Sequence, residues 1–113
     1  MAGFSCGVTV AGDTCIVRPV GYLDDATGRE MRAAFQEPLQ RGVRRFVLNL
    51  QGTPVINSQG ITQVLELVEE LVYDQQGSLA LVGVSELYLE VFRTVGILHL
   101  VRTFPDEASA LQR

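Results

Sequence analysis

The chain has 113 residues, of which 47% are hydrophobic and 19% are charged, a composition typical of a globular protein that buries its own core without disulfides or metal. Its net charge is −4 and all nine basic residues are arginines, so the broad basic face that nucleic-acid binding requires is not expected. No segment approaches the roughly 18 apolar residues of a membrane span, and the N-terminus lacks the basic and apolar regions of a signal peptide. We therefore expect a cytoplasmic protein that binds neither nucleic acid nor membrane.

The first predicted element is a β-hairpin. Two β-rich runs, "FSCGVTV" and "TCIVRPVGYL", flank the turn signal "AGDT", and Pro19 indicates that part of the second strand has an unpaired edge. This register places Cys15 opposite Val10 and Cys6 opposite Pro19, so the two sulfurs are too far apart to bond. We expect both cysteines to be small buried hydrophobic residues, with no disulfide and no metal site.

A helix is predicted after the hairpin, with Asp24 or Asp25 as its N-terminal cap. Apolar side chains recur at helical spacing as far as Leu39. Pro38 lies inside this pattern, and because it lacks an N–H group it should kink or shorten the helix.

The rest of the chain alternates between strand and helix patterns. The runs "VRRFVLNL" and "GSLALVGV" are apolar enough to be central strands covered on both faces. Between them, an amphipathic helix begins at Asn57 or Ser58 and carries Gln63 on its polar side. A helix over "SELYLEVFRTVGI", capped by Ser85, a short strand over "LHLVRTF" and a closing helical turn or two over "DEASAL" follow.

This alternation predicts an α/β fold in a single domain that spans residues 1–113. The expected architecture is a mixed, partly parallel β-sheet with an N-terminal hairpin and about four helices. No internal repeat, linker or low-complexity segment interrupts it.

The stretch "VINSQGI" is the most informative local motif. It places Ser58 at a helix N-terminus, beside backbone N–H groups without a partner in the helix, where the helix dipole would stabilise a phosphate on the hydroxyl. Gly60, where alanine would be a better helix former, allows another backbone or a partner protein to approach the first turn. From these residues alone, ordinary capping and turn formation explain the motif better than a modified or catalytic serine does.

No catalytic constellation accompanies Ser58. The motif is not the GxSxG elbow of an esterase, and the chain has no P-loop or GxGxxG. His99, the single histidine, lies in the apolar run "ILHLV", which favours a packed strand residue over a general base. Asp24 and Asp25 could bind a cation or act as acid and base, but a helix cap is the more usual role of such a pair. We expect no enzymatic activity, no cofactor and no metal.

Five short motifs in order, "FVLNLQ", "NSQG", "LVGV", "TVGI" and "DEASAL", resemble the core pattern of the STAS domain, and "GYLDD" resembles the segment before the first helix of that family. The STAS domain is the fold of anti-sigma factor antagonists and of the cytoplasmic part of sulfate-type anion transporters. The resemblance covers nearly the whole chain. In the antagonist branch, an anti-sigma factor that is itself a serine kinase phosphorylates the serine of "DSxG", and a phosphatase reverses the modification. The unphosphorylated antagonist binds the anti-sigma factor and frees the sigma factor.

The resemblance implies that this chain is a bacterial partner-switching regulator with Ser58 as its phosphorylation site. The expected partner-binding residues surround this serine and include part of "GYLDD": Asp24, Asp25, Asn49, Asn57, Ser58, Gln59, Gly60 and Gln63.

Two departures from the family pattern keep a second hypothesis open. Asn49 and Asn57 stand where the family usually has aspartates, so a kinase that recognises a carboxylate before the serine would meet an amide. The alternative is a phosphorylation-independent STAS interaction or scaffold module, in a signalling complex or beside a transporter. A STAS homo- or hetero-oligomer is a further form of partnership that the resemblance allows.

Overall fold

The computed structural model describes residues 3–112, so Met1, Ala2 and Arg113, which the predicted domain includes, lie outside the described residues. The strands are β1 Ser5–Ala11, β2 Thr14–Val20, β3 Arg45–Asn49, β4 Ser78–Val82 and β5 Arg102–Phe104. The helices are α1 Asp25–Ala33, α2 Gln36–Gln40, α3 Ser58–Glu69, α4 Glu86–Thr94 and α5 Glu107–Leu111. A π-helical turn, Glu70–Asp74, continues α3, and a 3₁₀ turn, Ile97–His99, follows α4.

The five strands form the predicted mixed sheet, in the order β1-β2-β3-β4-β5. β1 pairs with β2 as an antiparallel hairpin, and the remaining neighbours are parallel. The predicted register is confirmed, since Cys15 lies opposite Val10 and Cys6 opposite Pro19, and both thiols are free. β2 pairs with β3 only through residues 14–17, so Pro19 lies beyond the parallel ladder, where its missing N–H costs no hydrogen bond.

The predicted first helix is split into α1 and α2. Asp24 caps α1 by accepting a hydrogen bond from the N–H of Thr27 at 2.9 Å, and the Thr27 hydroxyl accepts one from the N–H of Asp24 at 2.9 Å. The break falls at Ala34, four residues before Pro38. A proline ring clashes with the carbonyl four residues earlier, which explains why the chain leaves the helix there.

The sheet separates two layers of unequal size. Along β3, Phe46 and Leu48 point into the larger core, which α1, α2, α3 and α4 cover. Val47 points to the opposite face, where α5 contributes the buried Ala110. The alternation of side chains along a strand therefore gives β3 two buried faces, as its apolar sequence predicts.

α3 begins at Ser58, as expected, and its apolar side packs on the sheet through residues such as Val64 and Val68, both fully buried. The placement of Gln63 on the exposed side of this helix is wrong. Its side chain is only 4% exposed because it packs against Gly28 of α1, where no Cβ competes for the space. None of the helices described within residues 3–112 has the length and apolar character needed to cross a membrane.

The predicted strand over "LHLVRTF" is shorter than expected, since β5 contains only Arg102–Phe104. Ile97 and Val101 are buried while His99 between them is exposed, and this spacing of four residues is that of a helical turn rather than a strand. Gly96, with a φ of +86°, ends α4 and starts the turn. His99 is therefore not a packed strand residue.

Candidate functional site

Ser58 occupies the first position of α3 and is held there by a cap on the residue before it. The Oδ1 atom of Asn57 accepts a hydrogen bond from the N–H of Gly60 at 2.8 Å, and the N–H of Asn57 donates to the carbonyl of Leu23 at 3.0 Å. This arrangement leaves the N–H groups of Ser58 and Gln59 without an acceptor inside the helix. The positive end of the helix dipole therefore lies beside the Ser58 hydroxyl.

The Ser58 side chain is exposed and unengaged. No group within residues 3–112 forms a hydrogen bond with its hydroxyl, and only its backbone carbonyl is used, by the hydroxyl of Thr62 at 3.1 Å. Gln59, the next residue, is also exposed. An exposed hydroxyl at the positive end of a helix can receive a phosphoryl group without any rearrangement of the core.

The segment "GYLDD" and α4 both fix the loop that leads into Ser58. The N–H of Leu23 donates to the carbonyl of Val55 at 3.1 Å, and Leu23 forms an isolated parallel bridge with Ile56. From α4, the Tyr88 hydroxyl accepts a hydrogen bond from the N–H of Ile56 at 2.8 Å. Sequence reasoning did not find this role of Tyr88, because no local pattern reports a contact between residues so distant in the chain.

Gly60 is buried, and the backbone that approaches it belongs to this chain. A Cβ atom at Gly60 would lie 2.3 Å from the carbonyl oxygen of Leu23 and 2.9 Å from the side chain of Ile56. The close approach that glycine permits is therefore intramolecular. Of the two approaches expected at Gly60, that of another backbone is confirmed, and direct contact with a partner stays a prediction.

Gln63 joins α1 to α3 inside the protein. Its Nε2 donates to the carboxylate of Asp25 at 2.9 Å, and its Oε1 accepts a hydrogen bond from Arg32 at 3.1 Å. Both ends of the side chain are engaged and little of it is exposed, and its expected contact with a partner stays a prediction. Asp25, partly exposed, also binds Arg29 at 3.0 Å.

Asn49 lies at the end of β3, 8% exposed, in a polar cluster with Arg18 and Glu107. Arg18 donates two hydrogen bonds to the Glu107 carboxylate, at 2.7 and 2.8 Å, and the Nδ2 of Asn49 donates a third at 2.7 Å. The Arg18 contact, helped by Asn49 and opposed by partial burial, lowers the pKa of Glu107. Asn49 therefore fastens α5 to the sheet, and its expected contact with a partner stays a prediction.

The junction, by which we mean the loop that leads into Ser58 and the first turn of α3, has an apolar surface beside it that the sequence pattern did not predict. Tyr22 and Val55 are 49% and 51% exposed, and with Gly21 and Pro54 they line a shallow cavity of about 270 Å³. We call these four residues the junction patch. Both large side chains occur in strand-like runs, so nothing in the sequence distinguishes them from buried neighbours. Exposed apolar groups next to polar ones are typical of a protein-binding surface.

Comparison with known proteins identifies the fold. The family model of the STAS domain matches residues 7–110. The chain belongs to the STAS family.

Solved STAS structures are similar to this chain along most of their length. An anti-sigma factor antagonist from Mycobacterium paratuberculosis matches with a TM-score of 0.80 and 16% identity, over 97% of this chain and 92% of that one. Phosphorylated SpoIIAA from Bacillus matches with a TM-score of 0.73 and 23% identity, over 98% of each chain. A serine-to-glutamate variant of RsbS from Moorella thermoacetica matches with a TM-score of 0.77 and 15% identity, over 95% and 92%. At these identities the likeness is one of fold.

Proposed function

We propose that this STAS protein is an anti-sigma factor antagonist whose binding is controlled by phosphorylation of Ser58. The observation that carries the proposal is the exposed, unengaged hydroxyl of Ser58 at the first position of α3. A relative in fold supports it, since the anti-sigma factor antagonist SpoIIAA has been solved in both unphosphorylated and phosphorylated forms.

Phosphorylation at this position changes the surface charge and leaves the core unchanged. The phosphate carries about −1.5 to −2 charge at neutral pH, and the dipole of α3 stabilises it by about 0.3–1 kcal/mol. The neighbouring Asn57 is neutral and already occupied as a cap, so the residue before the serine does not repel the phosphate. The modified protein therefore stays folded, while an acidic partner docked at the junction is repelled.

The docking surface combines the exposed part of the junction with the junction patch. Ser58 and Gln59 are exposed, while Asp24, Asp25 and Asn57 are partly exposed. The unphosphorylated form binds a kinase-type anti-sigma factor here and releases its sigma factor. The kinase then transfers the γ-phosphoryl group of ATP to the Ser58 oxygen, takes up the hydroxyl proton and releases ADP, and a phosphatase restores the serine by hydrolysis. This chain contributes only the acceptor hydroxyl.

The proposal is tested with the kinase-type anti-sigma factors of the source organism, each purified and mixed with this protein and Mg-ATP. We expect one of them to phosphorylate the parent on Ser58 and to leave Ser58→Ala unmodified. In calorimetric titrations with that kinase, Ser58→Ala should bind within about threefold of the parent, and Ser58→Asp at least tenfold more weakly, because a charge at the junction costs more than about 1.4 kcal/mol of binding free energy.

Ser85→Asp is the matched control, because Ser85 is an exposed serine at the N-terminus of the neighbouring helix α4. It adds the same charge at the N-cap of α4, one position earlier in its helix than Ser58 is in α3, and should bind as the parent does. If no kinase modifies the parent, or if Ser58→Asp binds as tightly as Ser58→Ala, the proposed switch is wrong.

One observation favours a second function, a STAS scaffold that binds its partner without phosphorylation. Asn57 keeps the helix cap but not the carboxylate that the family usually places before the serine. The same experiment separates the two functions. An unmodified Ser58, with equal binding by the alanine and aspartate variants, would support the scaffold.

A further inference from the structure

β1 forms one edge of the sheet and has no device that protects it. Its inner side pairs with β2 along all seven residues, and its outer side pairs with no strand in the described part of the chain. Every second residue of an antiparallel strand turns its N–H and C=O away from its neighbour, so about three or four residues present unpaired backbone groups. Lysine, other charges or proline usually block such an edge. The sequence of β1, "SCGVTVA", contains none of them.

The opposite edge of the sheet is protected. β5 has only three residues, it carries the exposed charge of Arg102, and Pro105 follows it directly. These are common means of preventing edge-to-edge pairing. The contrast indicates that the open edge at β1 is available for pairing.

The side chains of β1 leave an apolar groove beside this edge. Val8 and Val10 are 44% and 62% exposed, and with Cys6 they line an open cavity of about 640 Å³ between β1 and the α1–α2 region. Partial burial, helped by the charge of Glu30, raises the pKa of Cys6 to about 11, so the thiol stays uncharged and behaves as an apolar group. No segment of residues 3–112 fills this groove.

We propose that a second copy of this chain occupies the edge, with the two β1 strands antiparallel across a twofold axis at Val8. The two sheets then form one continuous ten-stranded sheet. In this register each Val8 faces its symmetry mate, and the other facing pairs are Val10 with Cys6, Thr9 with Gly7, and Ala11 with Ser5.

Self-complementarity of the strand favours a second copy as the occupant, because the twofold register sets Val8 against Val8 and Val10 against Cys6. Each chain has a net charge of −4, but all seven residues of β1 are uncharged and small or medium in size, so two copies meet without like charges between the strands. At the rim of the groove, Glu37 and Arg41 neutralise each other in an ion pair at 2.6 Å. A strongly charged partner would find no counter-charge on this strand.

The small number of residues available at the β1 edge predicts a weak dimer. Seven residues of β1 and six further residues of the groove are available on each copy, about half of the 20–30 residues on each side of a standard interface. The dimer should therefore dissociate in the micromolar range or above, and its population should depend on protein concentration.

Sedimentation equilibrium from about 1 μM to about 1 mM tests this inference. The weight-average mass of the parent should rise from 12.4 kDa towards twice that value. Val10→Lys, which places a charge on the exposed edge, should raise the dissociation constant at least tenfold. Val95→Lys is the matched control, since Val95 is an exposed valine at the end of α4, and it should associate as the parent does. Thermal melts of both variants verify folding.

Hydrogen exchange provides the second readout, with amides of residues 5–11 more protected at high protein concentration in the parent and not in Val10→Lys. A parent that stays at 12.4 kDa, a mass that passes beyond the dimer, or unchanged association of Val10→Lys would overturn the proposal. If the parent is monomeric, the unpaired edge of β1 would instead be available to a strand of a different protein. None of these outcomes depends on Ser58, because β1 contains no residue assigned to the proposed switch.

Discussion

Gly60 determines how closely the segment before α1 approaches the start of α3. The Leu23 carbonyl that would collide with a Cβ atom at this position is backbone, and it also accepts the hydrogen bond from Asn57. It cannot move without disturbing the junction that presents Ser58. Gly60 therefore supports the site from within the protein.

Gly60→Ala should destabilise the protein by about 1–3 kcal/mol, because the steric conflict outweighs the gain of about 1 kcal/mol in helix propensity. Urea unfolding measures the loss. Gly7→Ala is the control, since nothing lies within 4 Å of the Cβ it would add, and it should stay within about 0.5 kcal/mol of the parent. Equal stability of Gly60→Ala and the parent would show that the contact is not rigid.

At the residue scale, the sequence predicts those roles that depend on local backbone. Asp24 and Asn57 act as helix caps because a cap needs only a short polar side chain and the N–H groups of the next turn. The burial of Gly60 and Gln63 could not be predicted, since it depends on which segment packs across α3. A polar residue among the charged residues of a helix is predicted to be exposed unless the segment that packs against it is known.

At the scale of elements, Gln63 connects two helices through a chain of polar contacts. It links Asp25 and Arg32 of α1 to α3, and Arg32 continues the chain to Glu66 and Glu70 at 3.0 and 3.2 Å. Because α1 follows directly on "GYLDD", these contacts also hold that segment near the start of α3. Loss of Gln63 should loosen the packing of α1.

Gln63→Ala should cost about 1–3 kcal/mol of unfolding free energy, because it removes two hydrogen bonds between α1 and α3 and opens a space over Gly28. Gln59→Ala, at an exposed position one turn earlier in α3, should change stability by less than about 0.5 kcal/mol. Chemical unfolding of both variants at neutral pH makes the comparison. Equal effects would mean that the contacts between α1 and α3 do not depend on Gln63.

α5 is attached to the sheet by an ion pair whose strength depends on pH. Since the contact with Arg18 lowers the pKa of Glu107, the stabilisation is fully present above the ordinary value of 4.5 and is lost as the pH falls through the lowered pKa. Glu107→Gln should therefore cost about 1 kcal/mol or less near neutral pH, and the difference from the parent should shrink below pH 4.5.

Urea unfolding of the parent and Glu107→Gln across this pH range measures the difference. Glu86→Gln serves as the control, because Glu86 also lies in the first turn of a helix but is exposed. A stability difference that does not change with pH would show that the Glu107 charge does not stabilise α5.

Element boundaries could be predicted where one residue imposes them and not where a pattern is ambiguous. Pro38 fixes the break between α1 and α2 by its covalent structure. The run from Ile97 to Val101 is apolar throughout apart from His99, so its sequence fits a strand and a helical turn almost equally well. The structure decides between them, because Ile97 and Val101 are buried and His99 between them is exposed. Such short apolar runs are the least certain part of a sequence interpretation.

At the scale of the whole molecule, the order of strands and helices follows from the alternation of their patterns along the chain. Sequential strands joined by helices produce adjacent parallel strands, and the β1–β2 hairpin adds the antiparallel edge. The exposure of Tyr22 and Val55 and the open edge at β1 could not be predicted. Both are properties of the assembled surface, set by what the helices leave uncovered.

The proposed switch residue, Ser58, is exposed, and the loop that precedes it is fixed from two sides. The loop before Ser58 is held by "GYLDD" on one side and by Tyr88 of α4 on the other. The phosphorylated and unphosphorylated forms should therefore share one fold and differ in the partner that they bind. Control would then arise from surface electrostatics and not from a conformational change.

Phosphopeptide and intact-mass analysis of the protein isolated from its own cells, with and without phosphatase inhibition, tests the proposed switch at Ser58. We predict a phosphate on Ser58 that increases under inhibition and is absent from a Ser58→Ala strain. Unmodified Ser58 under every growth condition, with inhibition active, would contradict the proposed switch and leave the phosphorylation-independent STAS scaffold as the function.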